Sequence, residues 1–389
     1  MNEDILINLR KFLAPEIVYG VGAMELAGRH AINLGANKAL VVTDAGVQAA
    51  GWAHNVEACL QETGIAHVTF SAVTCNPKDH EVMAGVEVYR GQGCDLIIAV
   101  GGGSPMDCAK GIGVMAGNTG NILDFEGVDE VPNPGPPLIF IPTTAGTSAD
   151  VSQFAIITDT ARHVKIAIVS KMVIPDIALV DPRTTLTMSP ELTSQTGMDA
   201  LCHAFEAMVS TASSPLTDMA ALSATRLIVE NLPGAFRNPE NLAFRNNMMM
   251  ASLMAGLAFS NASLGLVHAM AHSLGGALDL AHGECNAILL EKIVQFNYAE
   301  AEQKYDQLAR LLGVDIDKCD PSEKSSALAA SIAELRKALG INKRLIEMGV
   351  TESDIPRLAG FAAEDPCLAT NPRAATPGDI EKLFRAIYA

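Results

Sequence analysis

An α/β half followed by an all-helical half is what this sequence predicts, and three observations carry the expectation. The first half alternates short β-branched runs with amphipathic segments. The second half keeps helical periodicity without a strand signal. The 389 residues also exceed the roughly 250 to 300 at which a single core stops growing. We therefore expect two domains: residues 1–185, an α/β domain with a parallel sheet, and residues 186–389, an all-helical domain.

In the first half, 38–43, 68–71, 95–100 and 137–141 read as strands, with a helix over 79–91 among them. That βαβ rhythm predicts parallel strands covered by helices on both faces. After Ala178-Leu179-Val180-Asp181-Pro182 the strand signal fades. Segments 189–210, 215–230, 243–258, 299–312, 322–339, 353–363 and 377–388 then repeat apolar residues at helical spacing. No internal repeat or low-complexity linker intervenes, so the halves should pack around a cleft, where ligand sites usually form. The run Met248-Met249-Met250, with Leu253 and Met254, suits the core, and a subunit interface is its other reading.

Nearly half of the residues are apolar and 18% are charged, which describes a globular chain and not a disordered one. The formal charge of -17 repels phosphate backbones and anionic surfaces, so neither a nucleic acid nor a membrane is expected as a partner. A phosphate-bearing ligand would need local backbone groups to hold it. Met1-Asn2-Glu3-Asp4-Ile5 lacks the basic and apolar regions of a signal peptide, and no apolar run is long enough to span a bilayer. The eight cysteines are scattered and form no CxxC, which argues against a disulfide framework or thiolate zinc site and for a cytoplasmic protein.

Two turns stand out at strand ends. Asp95 to Val100 runs into Gly101-Gly102-Gly103-Ser104-Pro105, three glycines and then residues suited to a helix start. Glycines let a backbone approach a ligand closely, and the free N–H groups of a helix start attract an anion. A tight strand-to-helix turn with nothing bound is the other reading. Pro142-Thr143-Thr144-Ala145-Gly146-Thr147-Ser148 follows the next buried strand. Two such loops at one sheet edge favour a dinucleotide site. The GxGxxG fingerprint is absent, because Glu25 stands where Gly20-Val21-Gly22 would need a third glycine, and that pair reads as an ordinary helix opening. Asp44, at the end of an early strand, can accept bonds from a ribose and repel a 2′-phosphate, favouring NAD over NADP. It can equally be a helix N-cap.

The helical half holds a second constellation. Asp199 and His203 are four residues apart in Thr196 to Glu206, so a helix places them on one face about 6 Å apart along the axis. His268 and His272 repeat the spacing, and His282 follows just past an expected helix end. These rings sit among Ala, Leu, Met and Val, where a polar group needs a partner. One carboxylate with three imidazoles suits Fe²⁺ or Zn²⁺ and is unlike a structural zinc site.

Taken together, these residues closely resemble the iron-containing, group III alcohol dehydrogenases over essentially the whole chain. The carriers are Gly101 to Asp107, Pro142 to Thr147, Gly197 to His203 and Gly265 to Gly276. The resemblance implies a Rossmann-like dinucleotide-binding domain and a helical metal-binding domain, with the metal and an alcohol or aldehyde substrate in the cleft between them. It implies Asp199, His203, His268 and His282 as metal ligands, with His272 beside them. Asp44, Asn76, Gly102, Gly103, Ser104, Thr143, Thr144 and Lys165 match cofactor-contacting positions, and Gly101 and Thr147 join them in the same two turns. A homodimer or larger assembly is also implied. The stretch Asp365 to Arg373 is most similar to the branch acting on short primary alcohols and 1,3-propanediol, and places Cys367 near the substrate pocket. Two departures are Ser148-Ala149-Asp150, with a shorter carboxylate than the family's Glu, and Phe154, where some diol-specific members carry a polar residue.

The activity so implied is hydride transfer between an alcohol and NAD, with Fe²⁺, or Zn²⁺ on the same ligands, lowering the alcohol pKa. His272 is the candidate proton carrier, or else a residue that orients a ligand. The competing readings are a zinc-dependent, glycerol-type polyol dehydrogenase, a dehydroquinate-synthase-like lyase, and a noncatalytic nucleotide- or metal-binding protein. A lyase pocket for an anionic acid would need several basic residues, and Arg226, Arg245 and Arg373 are separated and read as surface or capping charges.

Overall fold

The computed structural model describes residues 10–388, so the Met1 to Ile5 reading lies outside the described residues. The sheet-bearing half runs β1 (Glu16–Tyr19), α1 (Ala27–Asn33), β2 (Lys38–Asp44), α2 (Ala45–Ala49), α3 (Trp52–Glu62), β3 (Ala66–Val73), α4 (Asp79–Gln92), β4 (Leu96–Gly101), α5 (Gly103–Gly117), β5 (Gly127–Val128), β6 (Leu138–Pro142), β7 (Phe154–Asp159), β8 (Val164–Val169) and β9 (Ile177–Val180). Six strands form one parallel sheet in the order β1-β9-β6-β4-β2-β3.

The sheet is covered on both faces because its central strands are apolar at every position. Leu40, Val42, Ile97 and Ala99 point to the side packed by Val82 and Val86 of α4 and Met106 and Ile112 of α5. Ala39, Val41, Ile98 and Val100 point to the other, against Ala27 and Ala31 of α1 and Val56 and Leu60 of α3. The four strands read from sequence are all present.

A second sheet was not foreseen. β7 and β8 form an antiparallel hairpin, and the short β5 adds to β8 in parallel. Its turn carries no Asn-Gly or Asp-Gly signal. Asp159 builds it instead, accepting from Ala161 N at 2.9 Å and Arg162 N at 3.0 Å.

From Pro190 onward the described elements are helical: α6 (Pro190–Val209), α7 (Pro215–Arg237), α8 (Leu242–Ala262), α9 (Leu266–Leu278), α10 (His282–Asn297), α11 (Glu302–Leu311), α12 (Lys324–Ala338), α13 (Ile355–Glu364) and α14 (Pro377–Tyr388), with short 3-10 turns between some of them. Ser189 and Ser214 cap α6 and α7 just ahead of a proline at the first helical position, and Asn241 caps α8. These helices share one core, which Ala178 and Val180 of β9 join, while Ile177 and Leu179 face the sheet's own core. Met248 and Met249 belong to the helical core, with Met250 and Met254 packed at its edge. No single helix among the described residues is long and apolar enough to cross a membrane. α8 and α9 meet that test only as a pair bent by 99°.

Arg245 corrects one expectation. Instead of lying at the surface it is 1% exposed, donating to Met188 O at 3.0 Å, Thr193 Oγ1 at 2.7 Å and Pro239 O at 2.8 Å. Those oxygens, brought from three places in the chain, replace the water that a guanidinium requires. Arg226 and Arg373 are exposed as expected.

α9 can cross β8 only because it carries glycines where they meet. A Cβ on Gly276 would stand 2.7 Å from Lys165 N and 2.8 Å from Val164 Cα, both backbone atoms. Gly276→Ala should therefore cost about 1–3 kcal/mol of stability through overpacking. Gly360→Ala in α13, where an added Cβ meets nothing within 4 Å, should stabilise by about 0.4–1 kcal/mol. Urea unfolding midpoints of the two variants, moving in opposite directions, check the pair.

Candidate metal and dinucleotide site

Three helices bring the predicted metal-site residues together. α6 presents Asp199 and His203 from adjacent turns, α9 does the same with His268 and His272, and α10 opens on His282. Asp199 Oδ1 stands 3.8 Å from His203 Nε2 and 3.7 Å from both His268 Nε2 and His282 Nε2. These separations are too long for hydrogen bonds. They suit donors sharing one ion, since metal–ligand bonds of about 2.0–2.2 Å put neighbouring donors roughly 3.3–3.6 Å apart. Asp199, His268 and His282 form the tightest group, with donor atoms mutually within 4.8 Å, and His203 lies just outside it, its ring stacked on those of His268 and Phe259. The donor set thus fits a divalent ion.

The electrostatics point the same way. Burial lowers His203 to about 4 and holds His282 well below the ordinary imidazole value, which favours neutral rings with a lone pair to offer. Burial also acts to lower His268, but the Asp199 and Glu206 carboxylates outweigh it and raise the ring to about 9. Burial works against an ionised Asp199, and the surrounding imidazoles more than offset it, holding the carboxyl well below the usual range.

Sequence reasoning missed three supporting side chains. Glu206 accepts from Val267 N at 2.6 Å through one oxygen and meets His268 Nδ1 at 2.5 Å through the other, fixing the ring so that Nε2 faces Asp199. It lies two helical turns after Asp199, a spacing that could have shown it. Asn286, one turn after His282, donates to Asp199 Oδ1 at 2.6 Å. Asp365 meets His272 Nδ1 at 2.8 Å while accepting from Cys367 N at 2.8 Å. No local pattern marks Asp365, because its partner is 93 residues away.

The predicted cofactor residues lie along a neighbouring cleft of about 730 Å³. Asp44, Asn76, Gly102, Gly103, Ser104, Thr143, Thr144 and Thr147 all line it. The two loops are in contact: a Cβ on Gly102 would meet Thr144 at 3.1 Å, and one on Gly103 would meet Thr147 at 3.0 Å. Gly101 does not line the cleft, because it is the last, buried residue of β4 and makes the turn beneath it. Asp44 keeps both of its readings, since its Oδ1 caps α2 by accepting from Val47 N at 2.9 Å while the side chain borders the cleft. Asn76, in a left-handed conformation, donates to Asp279 Oδ1 at 2.6 Å and so joins the two halves across the mouth. Lys165 borders not the cleft but the smaller cavity over the metal site.

That cavity, of about 150 Å³, is lined by Phe154, Phe259, Leu264 and Cys367 together with Asp199 and the four histidines. Asn76, Gly103, Ser104, Thr147, Asp199 and His282 border both spaces, so the cleft opens onto the candidate metal site.

Comparison with known proteins agrees with this geometry. Residues 14–182 match the family described as iron-containing alcohol dehydrogenase, and residues 193–388 match the C-terminal part of the Fe-containing alcohol dehydrogenase family. The chain belongs to the iron-containing alcohol dehydrogenases. It is 40% identical over 380 residues to the 1,3-propanediol dehydrogenase of Citrobacter freundii, covering 97% of this chain and 98% of that one. The NAD-dependent methanol dehydrogenase of Bacillus methanolicus is 38% identical over 374 residues, covering 96% and 98%. A crystal structure of 1,3-propanediol oxidoreductase superposes with a TM-score of 0.94 at 39% identity, covering 98% of this chain and all of that one. As a member of this family the enzyme is an oxidoreductase of short-chain alcohols or diols, with NAD and Fe²⁺ as its characteristic cofactors.

Glu206→Gln keeps the shape of the side chain but gives up the charge behind His268. Metal should leave this variant about 10–100-fold faster than it leaves the parent. Release to a coloured chelator, followed by absorbance, measures the difference.

Proposed function

We propose that the chain interconverts short primary alcohols or diols and their aldehydes, with residues 1–185 holding NAD and residues 186–389 holding Fe²⁺ through Asp199, His203, His268 and His282. The observation that carries this reading is the shared wall: the long cleft and the small apolar cavity meet at Asp199 and His282. A hydride donor in one and an acceptor in the other would meet beside the metal residues. A noncatalytic nucleotide- or metal-binding protein would not need the two spaces to meet.

An ion held there supplies Lewis-acid polarisation of the substrate oxygen. The chain's own residues supply the rest. The N-terminus of α5 and the Thr143 to Thr147 turn offer backbone N–H groups and hydroxyls to a pyrophosphate, which a protein of charge -17 cannot attract by its overall field. The Asp44 carboxylate suits a free ribose and opposes a 2′-phosphate, so NAD is preferred to NADP. Phe154, Phe259 and Leu264 give the cavity an apolar wall, which favours a short hydrocarbon chain over a polyol. His272 borders the cavity with Nδ1 engaged by Asp365, so its Nε2 is left to take up or pass on the alcohol proton.

Zinc suits the same N/O donors, and iron is the assignment that follows the family. Eight free thiols favour a reducing, cytoplasmic setting. The proposed homodimer or larger assembly rests on the family resemblance, and the exposed Leu216 and Met219 on one face of α7 are apolar surface available to it.

Asp199→Asn and His268→Ala should each abolish metal retention and alcohol turnover while leaving NADH binding, read by its fluorescence, within about twofold of the parent. Turnover of ethanol, propan-1-ol and 1,3-propanediol by metal-free variant protein would overturn the scheme. For the parent, a clear preference for NADP over NAD would overturn the role given to Asp44.

A further inference from the structure

β7 is the edge strand of the small sheet, with β8 on one side and no strand on the other among the described residues. Odd positions face β8, as the bond from Ser170 N to Gln153 O at 2.9 Å shows. Even positions from Ser152 to Thr158 therefore turn their N–H and C=O groups outward, and such groups need partners when buried.

α5 supplies partners for two of the carbonyls. Lys110 is wholly buried in an otherwise apolar stretch of that helix. Its ammonium donates to Ser152 O at 3.0 Å, Ser152 Oγ at 3.0 Å and Phe154 O at 2.6 Å, engaging all three of its protons. Asp107, one turn earlier, lies 3.9 Å from the ammonium; burial pushes its carboxyl up to about 6, against the opposing pull of Lys110 and the Ile156 backbone. Thr158 N completes the edge on Pro77 O at 2.8 Å. The Lys110 ammonium, with Asp107 beside it, thus meets the outward carbonyls of Ser152 and Phe154 as the N–H groups of a neighbouring strand would.

The hairpin docked in this way carries two walls of the substrate cavity, Phe154 on β7 and Lys165 on β8, the latter paired with Thr158. Its other flank is fastened to α8, where Ser148 Oγ donates to Ser252 O at 2.6 Å and the Gln153 amide to Ser260 O. Phe154 in turn stands against Phe259 with ring centroids 5.9 Å apart. Loosening the α5 side alone would let the start of β7 move relative to Phe259.

We propose that Asp107 and Lys110 form a positioning pair for alcohol specificity: by docking the free edge of β7 they fix how far Phe154 reaches into the cavity, and so the alcohol chain length it accepts. This rests on reading the cavity as the alcohol site.

The test uses full-length, metal-loaded enzyme carrying Lys110→Met, which keeps the apolar stem and removes the donors, or Lys110→Gln, which keeps two N–H groups. Two readouts are taken: kcat and KM for ethanol, propan-1-ol and butan-1-ol, and amide hydrogen exchange along the chain. Lys110→Met should shift the butan-1-ol to ethanol ratio of kcat/KM by about threefold or more, mainly through KM. Lys110→Gln should shift it the same way by a smaller factor. Exchange at 152–158 should rise about tenfold relative to α10 to α14 in both variants. If Lys110→Met does not fold, Lys110→Gln is read alone. An unchanged ratio overturns the proposal, and so does exchange that rises uniformly along the chain, which is the mark of a general core residue. A parent enzyme that turns over none of these alcohols would contradict the functional reading, and the exchange arm would still decide the docking.

Discussion

The structure is organised around a buried carboxylate, Asp199, faced by three imidazole nitrogens at 3.7–3.8 Å. A charge taken out of water is costly unless a partner compensates it, and here the imidazoles of His203, His268 and His282 and the Asn286 amide do so. That requirement forces α6, α9 and α10 to converge, and the sequence meets it with small residues. A Cβ on Gly283 of α10 would stand 2.5 Å from Gln195 O of α6, and one on Gly265, at the start of α9, 3.0 Å from Glu206 of α6. Glu206 adds a second negative charge behind His268, which raises that ring's affinity for a positive partner.

The sheet brings a different constraint to the same place. Its strands end in loops that contact one another, and the glycine triplet leaves the start of α5 open toward the cleft. Ligands bind outside the carboxyl ends of parallel strands because helix N-termini gather there. The helical half closes against this edge through the Asn76–Asp279 bond and through Lys165, which passes beneath Gly275 and Gly276. The residues proposed to hold cofactor and metal, drawn from separate halves, thereby border one continuous space.

How much of this was legible depended on whether the signal was local. β2, β4 and β6 could be read because each is an apolar run buried on both faces, β3, a half-buried edge strand, because Val68, Thr69 and Phe70 favour extended backbone, and the Asp199–His203 and His268–His272 pairs because helical spacing places them on one side. The β7–β8 hairpin escaped because its turn is built by the Asp159 side chain and not by glycine. Arg245 was expected as a surface or capping charge, since composition alone treats a charge as solvated. Its three oxygen partners come from Met188, Thr193 and Pro239, and only the fold collects them. Asp365 was hidden for the same reason. The family resemblance named the metal and cofactor positions, whereas Glu206, Asn286 and Asp365 emerged from hydrogen bonds.

The central claim is that one ion, held by the residues around Asp199, is required for hydride transfer to NAD. Anaerobic titration of metal-stripped protein with Fe²⁺, following bound metal and NADH formation from propan-1-ol in the same sample, tests it most directly. Turnover should be absent at the start and should rise in step with binding to a plateau at about one ion per chain. Full turnover before any metal is added, or a plateau reached only after a second ion has bound, would contradict it.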